Sequence, residues 1–404
     1  MEVAIIGGGA AGFFSAIQVK KNYTDAKVII FEKSQKILSK VEISGGGRCN
    51  FTNGCTSIKE LSEAYPRGGK ALKKAFRVFN NKDVMEWFES RRVPYVIQDD
   101  NCVFPRSQSS RTIIDCFINQ TKTMGIDLEK GAGINAIKQN GNRLELIFTD
   151  EKTPSRTFDK VIVTTGGSPK KEGLDWLKKL NHKIESPVPS LFTFNIPNDP
   201  ITKLQGIVVE KALVSLQGTK LKSEGPLLIT HWGMSGPAIL KLSAFGARLL
   251  QEKGYQCNIQ VNWVNVSNNE MVMEELNKII YEHSGKFLTS VRPYFLPERL
   301  WFYLLEKGDL SAKKKWGDLG KKGLNKLISL LTNDIYMVKG KTSFKEEFVT
   351  CGGVSLESID FNTMQSKVCK NLYFAGEVLD IDGITGGYNF QAAWTTGFIA
   401  GKLN

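Results

Sequence analysis

Short, wholly apolar runs occur in the first part of this chain and again near its end. Residues 3–6, 28–31 and 161–163 contain only apolar side chains, and a similar run lies within 370–375. Strands buried on both faces of a parallel sheet have this continuous pattern, whereas half-solvated strands alternate. The pattern predicts an α/β domain with a parallel sheet, to which the end of the chain returns.

Helical periodicity and turn residues occupy the interval between these runs. We predict helices over 69–79 and 82–92, the second capped by Asn81, and a third that Ser109 or Ser110 caps and that ends at Thr123. Residues 94–97 and 102–104 flank a polar turn and predict a hairpin. These elements describe one α/β domain with insertions.

The pattern changes near Pro187, where short strands replace the alternation of strand and helix. Strands are predicted over 191–196, 207–216, 220–222, 227–230 and 255–264, which suggests a small antiparallel sheet or barrel. A helix is predicted after an N-cap at Ser235, with Pro237 at its first position. A second is predicted from a capping box of Ser267 and Glu270 to about Tyr281. Two more are predicted over 297–307 and 319–331.

These patterns divide the chain into three parts. We assign 1–188 and 344–404 to a discontinuous first domain, 189–266 and 333–343 to an inserted β-barrel, and 267–332 to a helical subdomain. The chain is expected to re-enter the first domain near Phe344.

A glycine fingerprint follows the first apolar run and precedes a helix predicted to begin near Phe13. Gly7 permits a tight turn, Gly9 lets the backbone approach a pyrophosphate, and Gly12 lets the helix pack on the sheet. Glu32, at the end of the second apolar run, can accept hydrogen bonds from a ribose hydroxyl. Strand, helix and acid in this register favour a dinucleotide site over a simple glycine turn.

A second segment has similar spacing in a different context. Gly131, Gly133 and Ala136 mimic the fingerprint, yet an Asn140-Gly141 turn and further apolar residues follow instead of a helix. Asn-Gly between apolar runs is typical of a two-residue hairpin. We therefore predict a hairpin here.

The C-terminal segment can complete the dinucleotide site. Gly376-Glu377 follows the last apolar run, and Gly386-Gly387 precedes a terminal helix predicted from Asn389. An acid at 377 can bind ribityl hydroxyls, and the helix N-terminus can stabilise negative charge on a reduced flavin ring. The alternative is a glycine-rich loop that only packs the helix. Both ends of the chain together favour FAD as the cofactor.

The segment Gly45-Gly46-Gly47-Arg48-Cys49-Asn50 is the predicted location of chemistry. Arg48 can polarise a substrate carbonyl or contact phosphate, and Asn50 offers amide donors, but both can equally serve to fix the loop. Tyr388 is a candidate proton donor, with aromatic packing as the equal alternative. A redox disulfide between Cys49 and Cys55 is disfavoured by their spacing.

Composition narrows the remaining functions. The chain has seven cysteines, an odd number without a CxxC pair, which predicts reduced thiols in a cytoplasmic protein. With only three scattered histidines, no metal site is expected. No long apolar run predicts a membrane span, and the early first strand leaves no room for a signal peptide. His231 is more plausibly structural than catalytic.

The net charge of +13 leaves a polyanionic partner open. Residues 311–326 contain six lysines against Asp318, and basic side chains recur at 67, 70, 73, 74 and 77. A solvated face is the favoured explanation and nucleic acid is disfavoured as a partner; an RNA-modifying flavoprotein stays the alternative. The oligomeric state is open.

Four segments together resemble one flavoprotein family. They are Ser44–Asn53, Thr230–Pro237, Cys351–Val354 and Ala375–Phe390, and they resemble the BaiN/RdsA group, also called HI0933-like or aminoacetone-oxidase-like FAD-binding proteins. The resemblance covers essentially the whole chain. It implies a two-dinucleotide-binding-domain flavoprotein fold with an inserted barrel and a helical domain, and activity as an NAD(P)- and FAD-dependent oxidoreductase.

The predicted cofactor-binding residues combine the fingerprints with this resemblance. They are Gly7, Gly9, Ala10, Ala11, Gly12, Glu32, Lys33, Gly45, Gly46, Gly47, Arg48, Cys49, Ile134, Thr165, Gly166, Gly376, Glu377, Gly387, Tyr388 and Asn389, and the predicted catalytic residues are Arg48, Asn50 and Tyr388.

The predicted activity is hydride transfer from NADH or NADPH through flavin N5 to an activated C=C or C=N bond of a small organic substrate. An amine oxidase that uses O2 is an alternative. Only one credible dinucleotide fingerprint is present, so a nicotinamide donor would bind without a second nucleotide domain.

Overall fold

The computed structural model describes residues 1–168, 170–342 and 349–404 and divides them into two compact units. The first unit contains Met1–Ser190 and the C-terminal segment from residue 349, and the second begins at Leu191 and is described to Thr342. The predicted re-entry near Phe344 lies outside the described residues, and the further division into barrel and helical subdomain stays a prediction.

The first unit is built on a sheet of seven strands. In spatial order they are Ile359–Asp360, Gln365–Ser366, Leu372–Phe374, Lys160–Val163, Glu2–Ile6, Lys27–Glu32 and Asp127–Lys130. The last five run parallel, with Val3 opposite both Val28 and Lys160. The wholly apolar runs are therefore the central strands, buried on both faces as predicted.

Three smaller sheets complete the first unit. One is the hairpin Ile134–Asn140 and Arg143–Phe148 extended by Arg156–Phe158, which confirms the hairpin prediction. The second joins Thr52–Asn53, Cys102–Pro105 and Tyr95–Ile97 and contains the second predicted hairpin. The third pairs Ile184–Ser190 with Val349–Val354.

The helices of the first unit pack around the main sheet. Their bounds are Ala10–Asn22, Ser39–Gly47, Ile58–Glu63, Gly69–Ala75, Asn81–Glu89, Ser110–Thr123, Asp175–Lys178 and Tyr388–Ala400, with short 3-10 turns at Lys171–Leu174, Leu356–Ser358 and Gly376–Val378. The first and last long helices pack closely, because a Cβ on Gly397 would lie 3.1 Å from Ser15 Oγ. Buried aromatic rings pack beside these helices. The ring centroid of Phe14 lies 4.7 Å from that of Trp87 and 5.5 Å from that of Trp394.

The second unit contains a seven-stranded antiparallel sheet. Its spatial order is Asp334–Lys339, Gln256–Asn262, Val208–Leu216, Lys222–Thr230, Gly233–Ser235, Thr193–Asn195 and Lys341–Thr342. The two edge strands are consecutive in the chain, and Gly340 between them bonds to both sides: its N–H donates to Tyr255 O at 2.8 Å, and its carbonyl accepts from Asn195 N at 3.1 Å. The two outer strands of this order therefore belong to one continuous segment of the chain.

Helices and buried tryptophans form the rest of the second unit. The helices are Pro237–Phe245, Ala247–Glu252, Asn269–His283, Glu298–Lys307 and Gly320–Thr332, with 3-10 turns at Pro200–Leu204, Pro293–Phe295 and Trp316–Asp318. Trp301 and Trp316 stack with ring centroids 6.1 Å apart. Asp334 accepts hydrogen bonds from Trp263 Nε1 at 2.9 Å and from the Tyr336 hydroxyl at 2.5 Å.

Several local predictions were wrong. The first helix begins at Ala10 rather than near Phe13. Asn80, not Asn81, caps the helix from 81, because its Oδ1 accepts from Lys82 N while Asp83 returns the bond. Likewise Asn268 replaces Ser267 as a cap, and Gly236 with φ of 90° replaces Ser235. Separate strands were predicted at 220–222 and 227–230, whereas one strand runs over Lys222–Thr230.

Candidate functional site

The glycine fingerprint lies at the carboxyl end of the central strands of the first unit. Gly7 has φ of 118°, which disfavours any other residue, and its N–H donates to Phe31 O at 2.8 Å. A Cβ on Gly12 would lie 2.0 Å from Gly7 O and 2.8 Å from Thr164 Oγ1. Gly7 and Gly12 therefore let strand, turn and helix pack against one another.

Gly9 has the opposite environment. It is the N-cap of the helix from Ala10, makes no side-chain cap, and a Cβ there would meet no heavy atom within 4 Å. Gly166, with φ of 75° at the end of the adjacent strand beside Thr165, is equally open. Free N–H groups at a helix N-terminus beside open backbone form a site suited to a diphosphate.

Glu32 lies at the edge of this opening. Its Oε2 accepts from Gly8 N at 2.8 Å and its Oε1 from Ser34 N at 2.9 Å. The carboxylate is thereby held in place and keeps acceptor capacity for a ribose hydroxyl. The hairpin that contains Ile134 reaches the same end of the strand, since a Cβ on Gly133 would lie 3.3 Å from Lys33 Cβ.

The two remaining glycine segments of the first unit contact each other directly. A Cβ on Gly387 would lie 2.3 Å from Thr52 O and 2.7 Å from Asn50 Oδ1. Asn53 Nδ2 also donates to Gly386 O at 3.1 Å. The segment after the three glycines and the start of the terminal helix therefore form one surface, as a shared ligand would require.

The three glycines themselves take left-handed conformations at the end of the helix from Ser39. Their φ angles are 57°, 67° and 81° for Gly45, Gly46 and Gly47, and a Cβ on either of the last two would enter open space. Gly45 is packed, because its Cβ would lie 3.0 Å from the Phe104 ring. The segment thus leaves bare backbone on one side.

Arg48 is engaged with its own surroundings. Its Nε donates to Gly45 O at 3.1 Å, Nη1 donates to Gln108 Oε1 at 3.4 Å, and the guanidinium lies 4.1 Å from the Phe104 ring centroid. Asn50 Oδ1 accepts from Val103 N at 3.2 Å. These contacts support the loop-fixing alternative for both residues, and their catalytic role stays a prediction.

Tyr388 and Asn389 begin the terminal helix. Asn389 closes a local clasp on Gly383, accepting from its N–H at 2.8 Å and donating to its carbonyl at 3.0 Å. The Tyr65 hydroxyl donates to Tyr388 O at 2.6 Å, and the two rings meet edge to face. Burial raises the pKa of the Tyr388 hydroxyl well above its ordinary value, so the hydroxyl keeps its proton.

Cys49 and Cys55 lie in surroundings that do not activate a thiol. All seven are free, and Cys49 and Cys55 are buried. Burial raises the pKa of the Cys49 thiol to about 12 and that of Cys55 to about 11. Neither thiol is therefore a reactive thiolate near neutral pH.

A buried ion pair was missed by the sequence analysis, which treated Arg67 only as part of a basic surface. Arg67 Nε donates to Asp382 Oδ1 at 2.5 Å, Nη2 bonds to Oδ2, and the Ser190 hydroxyl donates to Asp382 Oδ2 at 2.7 Å. Burial raises the pKa of Asp382, and Arg67 and Ser190 oppose the shift. The pair fixes the segment just before Gly383, and its members lie 315 positions apart in the sequence, so no local pattern signals their contact.

Two negative results concern the described part of the chain. Residues 1–168, 170–342 and 349–404 contain no group of three or more side chains that could hold a metal ion. Among the same residues, no helix is long and apolar enough to cross a membrane. His231, in the second unit, is exposed and stacks edge-on against Trp232 at 4.3 Å.

The residues present fit a flavin adenine dinucleotide. The open glycines 9 and 166, the helix N-terminus and Glu32 suit its ribose and diphosphate, and the joined segments at 45–53 and 386–389 suit a ring that needs close backbone approach. The predicted cofactor residues fall within this one unit.

Comparisons with known proteins agree with this geometry. The family described as HI0933-like protein Rossmann domain matches residues 1–403. A 3-dehydro-bile acid delta(4,6)-reductase of Clostridium scindens is 26% identical over 99% of this chain and 98% of its own length. Ribosomal RNA dihydrouridine synthases of Haemophilus influenzae and Escherichia coli are 27% and 26% identical, each over 98% of this chain and 96% of its own.

Solved structures share the fold. A 3-ketosteroid-delta4-(5alpha)-dehydrogenase from Rhodococcus jostii RHA1 has a TM-score of 0.51 at 11% identity, covering 99% of this chain and 97% of its own. A 3-ketosteroid delta1-dehydrogenase from Sterolibacterium denitrificans has a TM-score of 0.52 at 10% identity, with 99% and 98% covered. The family match spans nearly every residue, and the chain belongs to the HI0933-like family of Rossmann-domain proteins.

Proposed function

We propose that this protein is an FAD-dependent reductase that saturates a C=C bond conjugated to a carbonyl group, with NADH or NADPH as the electron donor. The observation that carries the proposal is the junction of the 45–53 and 386–389 segments, in the same unit as the open fingerprint glycines. FAD, when bound, supplies a carrier that accepts two electrons from a nicotinamide and passes them to an activated double bond.

The substrate class rests on the relatives. One is named a bile acid reductase, and two are named dihydrouridine synthases. Dihydrouridine differs from uridine by two hydrogens across a ring C=C bond conjugated to a carbonyl. A shared reaction therefore adds one hydride and one proton across such a bond while NAD(P)H is oxidised to NAD(P)+.

The chain's own residues would hold the cofactor and supply the proton. The N-terminus of the helix from Ala10 binds the diphosphate, and Glu32 binds a ribose. Tyr388, at the start of the terminal helix, gives its proton to the substrate carbon that does not receive hydride. The start of the terminal helix stabilises negative charge on the ring.

An anaerobic absorption experiment tests this function. We expect the FAD-loaded protein to lose its flavin absorption band at about 450 nm when NADH or NADPH is added. The band should return when an enone such as cyclohex-2-enone is added. Tyr388→Phe should still bleach but recover slowly. A flavin band that neither nicotinamide bleaches would contradict the proposal.

RNA is a second candidate substrate, favoured by one surface of the second unit. A short antiparallel bridge joins Phe287, which is 46% exposed, to Lys315. Leu288 N donates to Lys314 O at 2.9 Å, and Trp316 N donates to Lys286 O at 3.0 Å, so lysines occur on both of the paired segments, one of which contains the exposed ring. Basic side chains interleaved with an aromatic ring suit single-stranded RNA.

Fluorescence anisotropy with a labelled RNA tests this second candidate. The triple substitution Lys313→Gln, Lys314→Gln, Lys315→Gln should weaken RNA binding and reduce its salt dependence, while flavin bleaching by NAD(P)H stays unchanged. Equal RNA affinity for wild type and the triple variant would contradict this role of the surface.

A further inference from the structure

A salt bridge joins two segments of the first unit that lie 337 residues apart. Lys40 Nζ, on the helix that leads into the three glycines, lies 2.6 Å from Glu377 Oε2. Thr350 N donates to the other carboxylate oxygen, Oε1, at 3.0 Å. The Glu377 side chain is only 17% exposed, so this carboxylate is shielded from water and depends on these partners.

The Lys40–Glu377 pair lies among the segments that we propose bind FAD. A Cβ on Gly167 would lie 2.8 Å from Glu377 Oε1, and one on Gly376 would lie 2.8 Å from Ala11 Cβ. The carboxylate therefore lies where the end of a central strand, the start of the first helix and the C-terminal segment meet. Lys40 reaches this point from a fourth segment.

The charges at this point require a balance. Glu32 and Glu377 contribute two carboxylates to the proposed FAD site, and FAD itself carries a negatively charged diphosphate. A shielded carboxylate beside an anionic ligand opposes binding unless a cation accompanies it. An exposed salt bridge contributes little, but Lys40 meets a carboxylate that is mostly covered.

We propose that Lys40 is a positioning residue for FAD that acts through Glu377. Its ammonium cancels the charge of Glu377 and holds the carboxylate where it can accept a hydroxyl of the cofactor. In the same contact it ties the helix before the three glycines to the C-terminal segment. This inference rests on FAD as the cofactor of the proposed function.

Titration of the apo protein with FAD, followed by flavin fluorescence, tests the proposal without turnover. Lys40→Met should raise the dissociation constant of FAD about tenfold, and Lys40→Arg should keep it within about threefold of wild type. Lys36→Met, at an exposed lysine in the loop before this helix, is the matched control and should leave the constant unchanged. If Lys40→Met does not fold by circular dichroism, Lys40→Gln takes its place.

The Glu377→Gln background gives the decisive comparison. If Lys40 acts by cancelling this charge, adding Lys40→Met to the Glu377→Gln protein should raise the dissociation constant of FAD by less than about threefold. A full tenfold loss that persists in this background, or no loss in the single variant, overturns the inference. A wild-type protein that binds no FAD would instead overturn the proposed function, so the two failures are distinguishable.

Discussion

The fingerprint at 7–12 and the glycine segment at 45–47 share a residue type but not an environment. Gly7 and Gly12 are packed so closely that a Cβ would lie within 2.5 Å of backbone oxygen. Gly46 and Gly47 have positive φ and face open space. The first pair is required by the fold itself, whereas the second pair leaves backbone bare for something outside the chain.

Gly9 shows that the division does not follow sequence position. It lies between the packed glycines of the fingerprint, yet a Cβ there meets nothing within 4 Å. A glycine that neither packing nor a positive φ requires is explained by a ligand that approaches the backbone. The comparison therefore separates glycines that serve folding from glycines that serve binding.

The largest expected effect is on a packed glycine. Gly12→Ala would place Cβ 2.0 Å from Gly7 O, and backbone cannot move aside without breaking the turn. We expect the free energy of unfolding of the apo protein to fall by about 3 kcal/mol or more, measured by urea denaturation. Wild-type stability in this variant would show that the turn is not packed as described.

Gly9→Ala should separate binding from folding. Because the site is open and φ is −97°, apo stability should change by less than about 1 kcal/mol, while the dissociation constant of FAD rises about tenfold or more. Fluorescence titration and urea denaturation on the same sample measure both. Lost stability with unchanged FAD affinity would reverse the assignment of Gly9.

A smaller effect is expected in the glycine segment. Gly46→Ala should cost about 1 kcal/mol of unfolding free energy, because alanine is strained at φ of 67°. Gly125, also open with φ of 63°, lies after the helix Ser110–Thr123 and gives the control Gly125→Ala, with a similar cost. Only Gly46→Ala should also weaken FAD binding; equal FAD affinity in both variants would argue against contact between this segment and the cofactor.

The smallest expected effect concerns Cys49, which follows the glycine segment but is buried. Its folded pKa of about 12 exceeds the ordinary value of 9.0, so the unfolded chain loses this proton first as pH rises, and stability falls between these values. Between pH 8 and pH 10, Cys49→Ala should remove about 1 kcal/mol of the decline seen in wild type by urea denaturation. An identical decline in both proteins would mean that the thiol is accessible.

The sequence predicted features that have local patterns. The apolar runs identified the central strands, and the spacing of Gly7, Gly9 and Gly12 located the turn and helix. Helix caps were misplaced by one position at Asn80 and Asn268, because neighbouring polar residues offer the same hydrogen bond and only the backbone decides between them.

Other features have no local pattern. The strand Ile184–Ser190 contains two prolines, and its partner Val349–Val354 contains two glycines. Both residue types are disfavoured in the interior of a sheet, so the sequence pattern does not predict strands in these two segments. The contacts of Arg67 with Asp382 and of Lys40 with Glu377 join residues more than 300 positions apart. Such pairs follow from the topology, not from spacing.

The most direct test of the central claim is the stoichiometry of FAD binding by wild-type protein, measured by absorbance after reconstitution and removal of free cofactor. The open glycines at 9, 46, 47 and 166 predict one FAD per chain, with binding lost selectively in Gly9→Ala while that variant stays folded. A folded wild-type protein that retains no FAD would contradict the account.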